Sequence, residues 1–369
     1  MTTELAPSRT SSAPAAHSPL RDRRVLRARV LTLCSTLALV VVVLISASTG
    51  TVNLTPIDAG RLVLGHLVPG LPWMSDGSYT PLQDQVVWQF RLPRTLLAAL
   101  AGAALSLAGV LLQAVVRNPL AEPAILGVSA GASVGAVSVV AIGALGAVSV
   151  SAAAFTGATV AIVAVFLAAQ KNGRIAPQRL ILAGVALGTF FSAVTSYLTL
   201  TTDAQNVFSV LFFLLGSVSA ATMQSLVGPS CALVVAAVVV ACTVRGINAL
   251  SAGDEAATAL GVPVNGLRAL LLLTAALLTA AVVSVAGGIG FVGLVVPHVA
   301  RLLVGADHRR LVPLALVGGA LFLSTADLLA RTVSAPAEVP LGIVTAMIGA
   351  PFFLWLMRGQ AADAQGIGR

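Results

Sequence analysis

The chain has 369 residues, of which 57% are hydrophobic and 9% charged, with a net charge of +8 and a mean hydropathy of +0.99. A soluble domain carries roughly 25% charged residues, so a soluble enzyme or nucleic-acid module is excluded; long apolar runs without two-residue alternation exclude a β-barrel. What remains is an all-α polytopic membrane protein embedded in a lipid bilayer.

Residues 1–28 are Ser/Ala/Pro-rich and close on an arginine cluster, which predicts a disordered cytosolic tail. Ten spans follow, near 30–48, 93–115, 126–143, 147–169, 180–201, 224–244, 268–287, 290–304, 311–333 and 341–357. The stretch "NVFSVLFFLLGSVSAAT" predicts a partial helix between the fifth and sixth. Residues 29–358 form the membrane domain, and 359–369 a second cytosolic tail. An even number of spans puts both termini on one side. The arginines at 21–29, 117, 245, 268, 301, 309–310 and 358 all fall on that side, which makes it the cytoplasm.

Cys34, Cys231 and Cys242 sit at unrelated spacings in apolar runs and are expected as small core residues. "RNPLAEP" carries Asn118, Pro119 and Pro123 and predicts a cytoplasmic hinge. Gly127, Gly131 and Gly135 share one helix face suited to close packing. Pro297 and His298 interrupt the short eighth span; no second histidine or carboxylate stands at ligand spacing, so no metal site is expected. Asp327 and Arg331 lie four apart on one helix, the spacing of an ion pair. Arg91, Arg94 and Arg331 fall on the outer side, against the positive-inside bias, and an acidic external partner would account for them.

The stretches starting at Pro93 and at Leu267 each run from an Arg to a Gly- or Pro-broken region, the pattern of an inverted repeat. The segment "ALSAGDEAATALGV" places Asp254 and Glu255 between two glycines, in a cytoplasmic loop of about 246–267. The lone lysine, Lys171, stands in no P-loop, so an ATP-driven process requires a separate ATPase. A self-sufficient secondary transporter would need an ionisable coupling site at the midplane; an intramembrane enzyme would need convergent His, Asp or Glu. Neither pattern is present, and the chain is expected to be a non-catalytic subunit.

Seven stretches in order carry a family resemblance: "RLPRTLLAALAGAALSLAGVLLQ", "RNPLAEPAILGVSAGA", "LILAGVALG", "GDEAATALGV", "AGGIGFVGLVVPHVARLLVGADHRRLVP", "ADLLAR" and "PAEVPLGIVTAMIGAPFFLWLM". From about 30 to 358 the chain resembles the FecCD family of ABC-transporter permeases, importers of ferric siderophores, haem and cobalamin. The resemblance implies a cobalamin-permease-like fold in the cell (inner) membrane. It implies a second permease subunit, two ATP-binding-cassette ATPases working with ATP and Mg, and an extracytoplasmic binding protein, lipid-anchored or free. It implies no cofactor in this chain and no nucleic acid. Gly253, Asp254, Glu255, Ala256, Ala257, Leu260 and Gly261 would form the coupling helix on the ATPase. Arg91, Arg94 and Arg331 would dock the binding protein. The fifth, eighth and tenth spans would line a solute cavity at the subunit interface, and the cargo would be an iron chelate, a ferric siderophore first, cobalamin or haem next. The chain departs from the family at Pro177–Gln178, near the gate, and has "FFLLGS" where an "FW-x-x-GS" stretch is usual.

Overall fold

Apolar runs with no polar face to spare fold as helices, because a helix pairs its own backbone where lipid offers no partner. The computed structural model describes residues 19–144, 149–171, 174–175 and 177–366. The first eighteen residues and the last three of the expected tails lie outside these. In chain order the helices are α1 (Pro19–Ser48), α2 (Pro56–Leu67), α3 (Pro81–Gln85), α4 (Leu92–Val116), α5 (Val128–Ala141), α6 (Val150–Ala169) and α7 (Pro177–Leu200). They continue with α8 (Ala204–Leu215), α9 (Val227–Ala252), α10 (Asp254–Ala259), α11 (Val264–Ala286), α12 (Val292–Val304), α13 (His308–Thr332) and α14 (Leu341–Gly366). A two-residue antiparallel hairpin, β1 (Gln170–Lys171) with β2 (Arg174–Ile175), joins α6 to α7. A π-helical turn, Val86–Arg91, joins α3 to α4.

Each of the ten predicted spans has its helix, and α8 is the expected partial one. Among the described residues seven helices are long and apolar enough to cross a membrane; α5, α8, α12 and the stretch Leu341–Trp355 are shorter. Three expected boundaries are corrected. Helix α1 starts at Pro19, inside the expected tail, and α14 runs on to Gly366. The loop expected over 246–267 narrows to 253–263, since α9 and α11 continue past their apolar stretches. The cysteines are corrected too: all three are exposed. On helices that face acyl chains, a small thiol sits as well outside as inside.

Burial separates the helices. In its most apolar stretch α4 is 83% buried, whereas α1 is 11% buried. α4 and α11 are the two central helices, and they pack on each other. They run antiparallel, because Arg117 at the end of α4 and Arg268 at the start of α11 bind the same carboxylate. The helices that follow each are exchanged: α5 and α6 pack on α11, while α12 and α13 pack on α4. This is the arrangement an inverted repeat produces. Backbones approach closely where glycines meet, Gly102 against Gly319 between α4 and α13, and Gly131 against Gly157 between α5 and α6. Ser106 Oγ donates to the Ala315 carbonyl at 2.7 Å across the same α4–α13 contact. Gly131 and Gly135 both lie against α6, whereas Gly127 ends a short turn and faces Gly184 on α7.

Residues 56–91 hold folded structure that hydropathy does not announce. Thr55 and Thr80 cap α2 and α3 with reciprocal capping boxes. His66 Nε2 lies 2.7 Å from Asp84, and its ring stacks on Trp88 at 4.1 Å. Tyr79 donates to Asp58 at 3.0 Å.

Candidate functional site

Three constellations lie along the α4–α11 axis. At the basic end, Gly253 (φ +133°) and Gly261 (φ +76°) turn the chain sharply on either side of α10. Ala257 is fully buried, while Glu255, Ala256 and Leu260 face outward, Leu260 with 73% of its surface exposed. Asp254, exposed at the start of α10, is also engaged within the chain. Its carboxylate accepts from Arg117 and, at 2.9 Å, from Arg268 Nη2. Arg117 Nε also donates to the Leu250 carbonyl at 3.0 Å. One carboxylate therefore fastens α10 to both central helices, while Glu255, exposed beside it, forms no ion pair among the described residues.

Mid-way along the axis the two broken regions meet. Arg117 ends α4 in a left-handed conformation, and Asn118 Oδ1 accepts from Leu120 N at 2.9 Å, starting the turn. The chain then folds back inward. Pro123 packs on Gly293, which also lies against Gly109 of α4. Eight residues of helix separate Gly109 from Arg117, so Pro123 sits roughly 12 Å in from the basic end. The turn expected as a hinge thus folds back along α4 to meet the start of α12. Gln113 Nε2 ties the Gly293 and Leu294 carbonyls at 3.3 and 3.4 Å. Glu122 Oε1 accepts from the Phe291 N–H at 2.5 Å, at the start of α12. A carboxylate there meets the positive end of a helix and holds one repeat's break to the other's. Glu122 had no partner carboxylate in the sequence to mark it; the signal was its place in a proline-broken loop. Pro297 and His298 follow within α12, both buried, and neither His298 ring nitrogen has a hydrogen-bond partner among the described residues.

At the opposite end, Arg91, Arg94 and Arg331 do converge, around a cavity of about 670 Å³ that Glu338 also lines. Their guanidinium groups are also engaged within the chain. Arg91 donates to the carbonyls of Ala47, Ser48 and Val52 at 3.3, 2.7 and 2.8 Å. Arg94 binds Asp327 through Nε and Nη2 and Glu338 through Nη1, at 2.7 Å for the last. Arg331 donates to Ser46 Oγ at 2.5 Å. Its Nε stands 3.4 Å from Asp327, so the expected i,i+4 pair is the weaker of that carboxylate's two contacts. A second cavity, about 350 Å³, opens between α5, α8 and the end of α11, apolar but for Asn206 and three serines. An interface cavity is expected along α7, α12 and α14. In the single chain those helices expose Phe190, Leu302 and Met347.

The profile of the FecCD transport family matches residues 38–359. The chain belongs to the FecCD transport family. Among relatives, a cobalamin import system permease protein of Halobacterium salinarum is 39% identical, over 88% of this chain and 95% of its own length. A hemin transport system permease protein of Yersinia pestis is 40% identical over 76% and 85%. A solved transporter assigned to the metal-chelate ABC type, in an inward-facing conformation, superposes with a TM-score of 0.77 at 33% identity, covering 89% of this chain and 98% of that one. As a FecCD member the chain is an integral membrane permease subunit of an ABC importer.

Proposed function

We propose that this permease imports a metal chelate across the cell membrane, with a ferric siderophore as its cargo, by alternating access driven by two copies of a separate ATPase. Both termini and α10 face the cytoplasm, where the arginines gather. A second permease subunit completes the pathway, and a binding protein delivers cargo to the opposite end.

The observation that carries this reading is Asp254. A partner pressing on the outward face of α10, at Glu255 and Leu260, moves a helix bound to α4 and α11 at once. Force at one small surface then reaches both repeats. At the other mouth, Glu338 is the more exposed of the carboxylates on Arg94. An acidic residue of the binding protein would dock by replacing it, leaving Asp327 in place. The sparse polar lining of the 350 Å³ cavity suits a bulky solute held weakly.

A second reading keeps the importer and changes the cargo to cobalamin or haem, as the names of the relatives favour. The test is uptake into proteoliposomes holding the permease, its co-purified ATPase and its binding protein, with ferric siderophore, haem and cobalamin in competition. Siderophore uptake that needs ATP supports the reading; uptake of cobalamin or haem alone selects the second. Uptake without any ATPase overturns both.

A further inference from the structure

A groove of about 560 Å³ runs between α1 and the start of α13 at the basic end. Leu33 and Pro313 form part of its apolar wall; Arg29, Arg309 and Arg310 line it with charge, beside Asp307. The acidic residue is already engaged. Asp307 Oδ1 accepts from Asn248 Nδ2 at 2.9 Å and from the Arg309 N–H at 3.1 Å, capping α13, and Oδ2 lies 3.6 Å from Arg310 Nη2. Arg29 and Arg309 form no ion pair among the described residues. Arg310 Nε and Nη1 are buried there without a hydrogen-bond partner.

Three guanidinium groups around one engaged carboxylate leave the groove an excess of positive charge and two dry donors. General attraction of arginines to an anionic membrane explains neither a groove nor dry donors. The groove also opens onto α1, which exposes Leu26, Leu33 and Leu37 along its length. That face lies among acyl chains. An occupant must therefore present an anionic head to the arginines and hydrocarbon to Leu33.

We propose that this groove is a binding site for one anionic phospholipid of the leaflet at the basic end, its phosphate held by Arg29 and Arg310 and one acyl chain laid along α1. Basic pockets between spans hold such headgroups, with each arginine contributing roughly a fivefold change in affinity.

The test uses the full chain in neutral detergent, titrated with phosphatidylglycerol or phosphatidylcholine in mixed micelles and read by native mass spectrometry and thermal unfolding. Phosphatidylglycerol is expected to bind and raise the unfolding temperature, and phosphatidylcholine to do neither. Replacing Arg29→Gln with Arg310→Gln should weaken phosphatidylglycerol binding about 25-fold. Thr36→Trp, which narrows the groove and keeps its charges, should weaken it as well and serves if the double variant does not fold. Equal binding of the two lipids, or full affinity in the variants, overturns the proposal. Displacement of phosphatidylglycerol by millimolar inorganic phosphate overturns it too, since the site would then hold a free anion.

Discussion

Arg94 and Asp327 stand 233 positions apart in the chain and meet through two guanidinium nitrogens, at 2.9 and 3.0 Å. Asp327 is 1% exposed and also faces Arg331, so two arginines from α4 and α13 share one buried charge. Removing one partner of a buried pair leaves the other uncompensated, at about 3–5 kcal/mol. Asp327→Ala should therefore lower the unfolding temperature sharply, while Glu338→Gln, at the exposed edge of the cluster, should change it little. Thermal unfolding of both in detergent decides this, and equal losses would refute the division of labour around Arg94.

The two acidic residues of α10 separate by the same logic. Asp254→Asn should leave the ATPase bound and its hydrolysis intact, yet cut uptake per ATP about tenfold, because one rivet to α4 and α11 is weakened. Glu255→Lys should reduce ATPase binding with the unfolding temperature unchanged. Co-purification together with transport-to-hydrolysis ratios checks both, and identical behaviour would make α10 a plain linker.

At the crossing of the broken regions, Glu122→Ala leaves the part-buried Phe291 N–H unpaired, a cost of about 1–3 kcal/mol. Glu122→Gln keeps an acceptor and should fold nearly as well. If the two variants unfold together, the contact contributes nothing to holding the repeats.

The contact of Gly102 with Gly319 has no space for a side chain. Gly319→Val should force α4 and α13 apart and cost about 1–3 kcal/mol or more, read as loss of monodisperse protein in size-exclusion chromatography. Gly228→Ala, with nothing near its missing side chain, is the control.

Acid should loosen the outer cap first. Hydrogen bonds from Thr55 hold the Asp58 carboxyl below its ordinary value. A carboxyl lowered on folding stabilises fully above its unfolded value and loses that contribution as pH falls through the folded one. The first turn of α2 should then exchange its amide hydrogens faster below about pH 4, with Asp58→Asn showing no such step.

Hydropathy made the ten spans legible because lipid demands length and apolarity from each one, whatever it packs against. It could not show α2, whose charged and polar residues keep it below any span threshold. The threonine-proline starts at Thr55 and Thr80, each with an acceptor three residues on, were the overlooked sign. Charge placement picked out Arg91, Arg94 and Arg331 as unusual but not their partners. Local spacing favoured Arg331 for Asp327, whereas the tighter contact comes from Arg94, through packing no window of sequence contains. The partner of Glu122 was hidden for a similar reason, since it is a backbone N–H in the other repeat.

The exchange of helices between the two repeats bears on how the chain is made. During synthesis α4 leaves the ribosome long before α12 and α13, whose seats are Gly109 and Gly102. The first half must wait in the membrane with its central helix uncovered, and α5 and α6 likewise wait for α11. Neither half is a folding unit, so insertion and folding are separated in time, and the interval between them is when this protein most needs help from the cell.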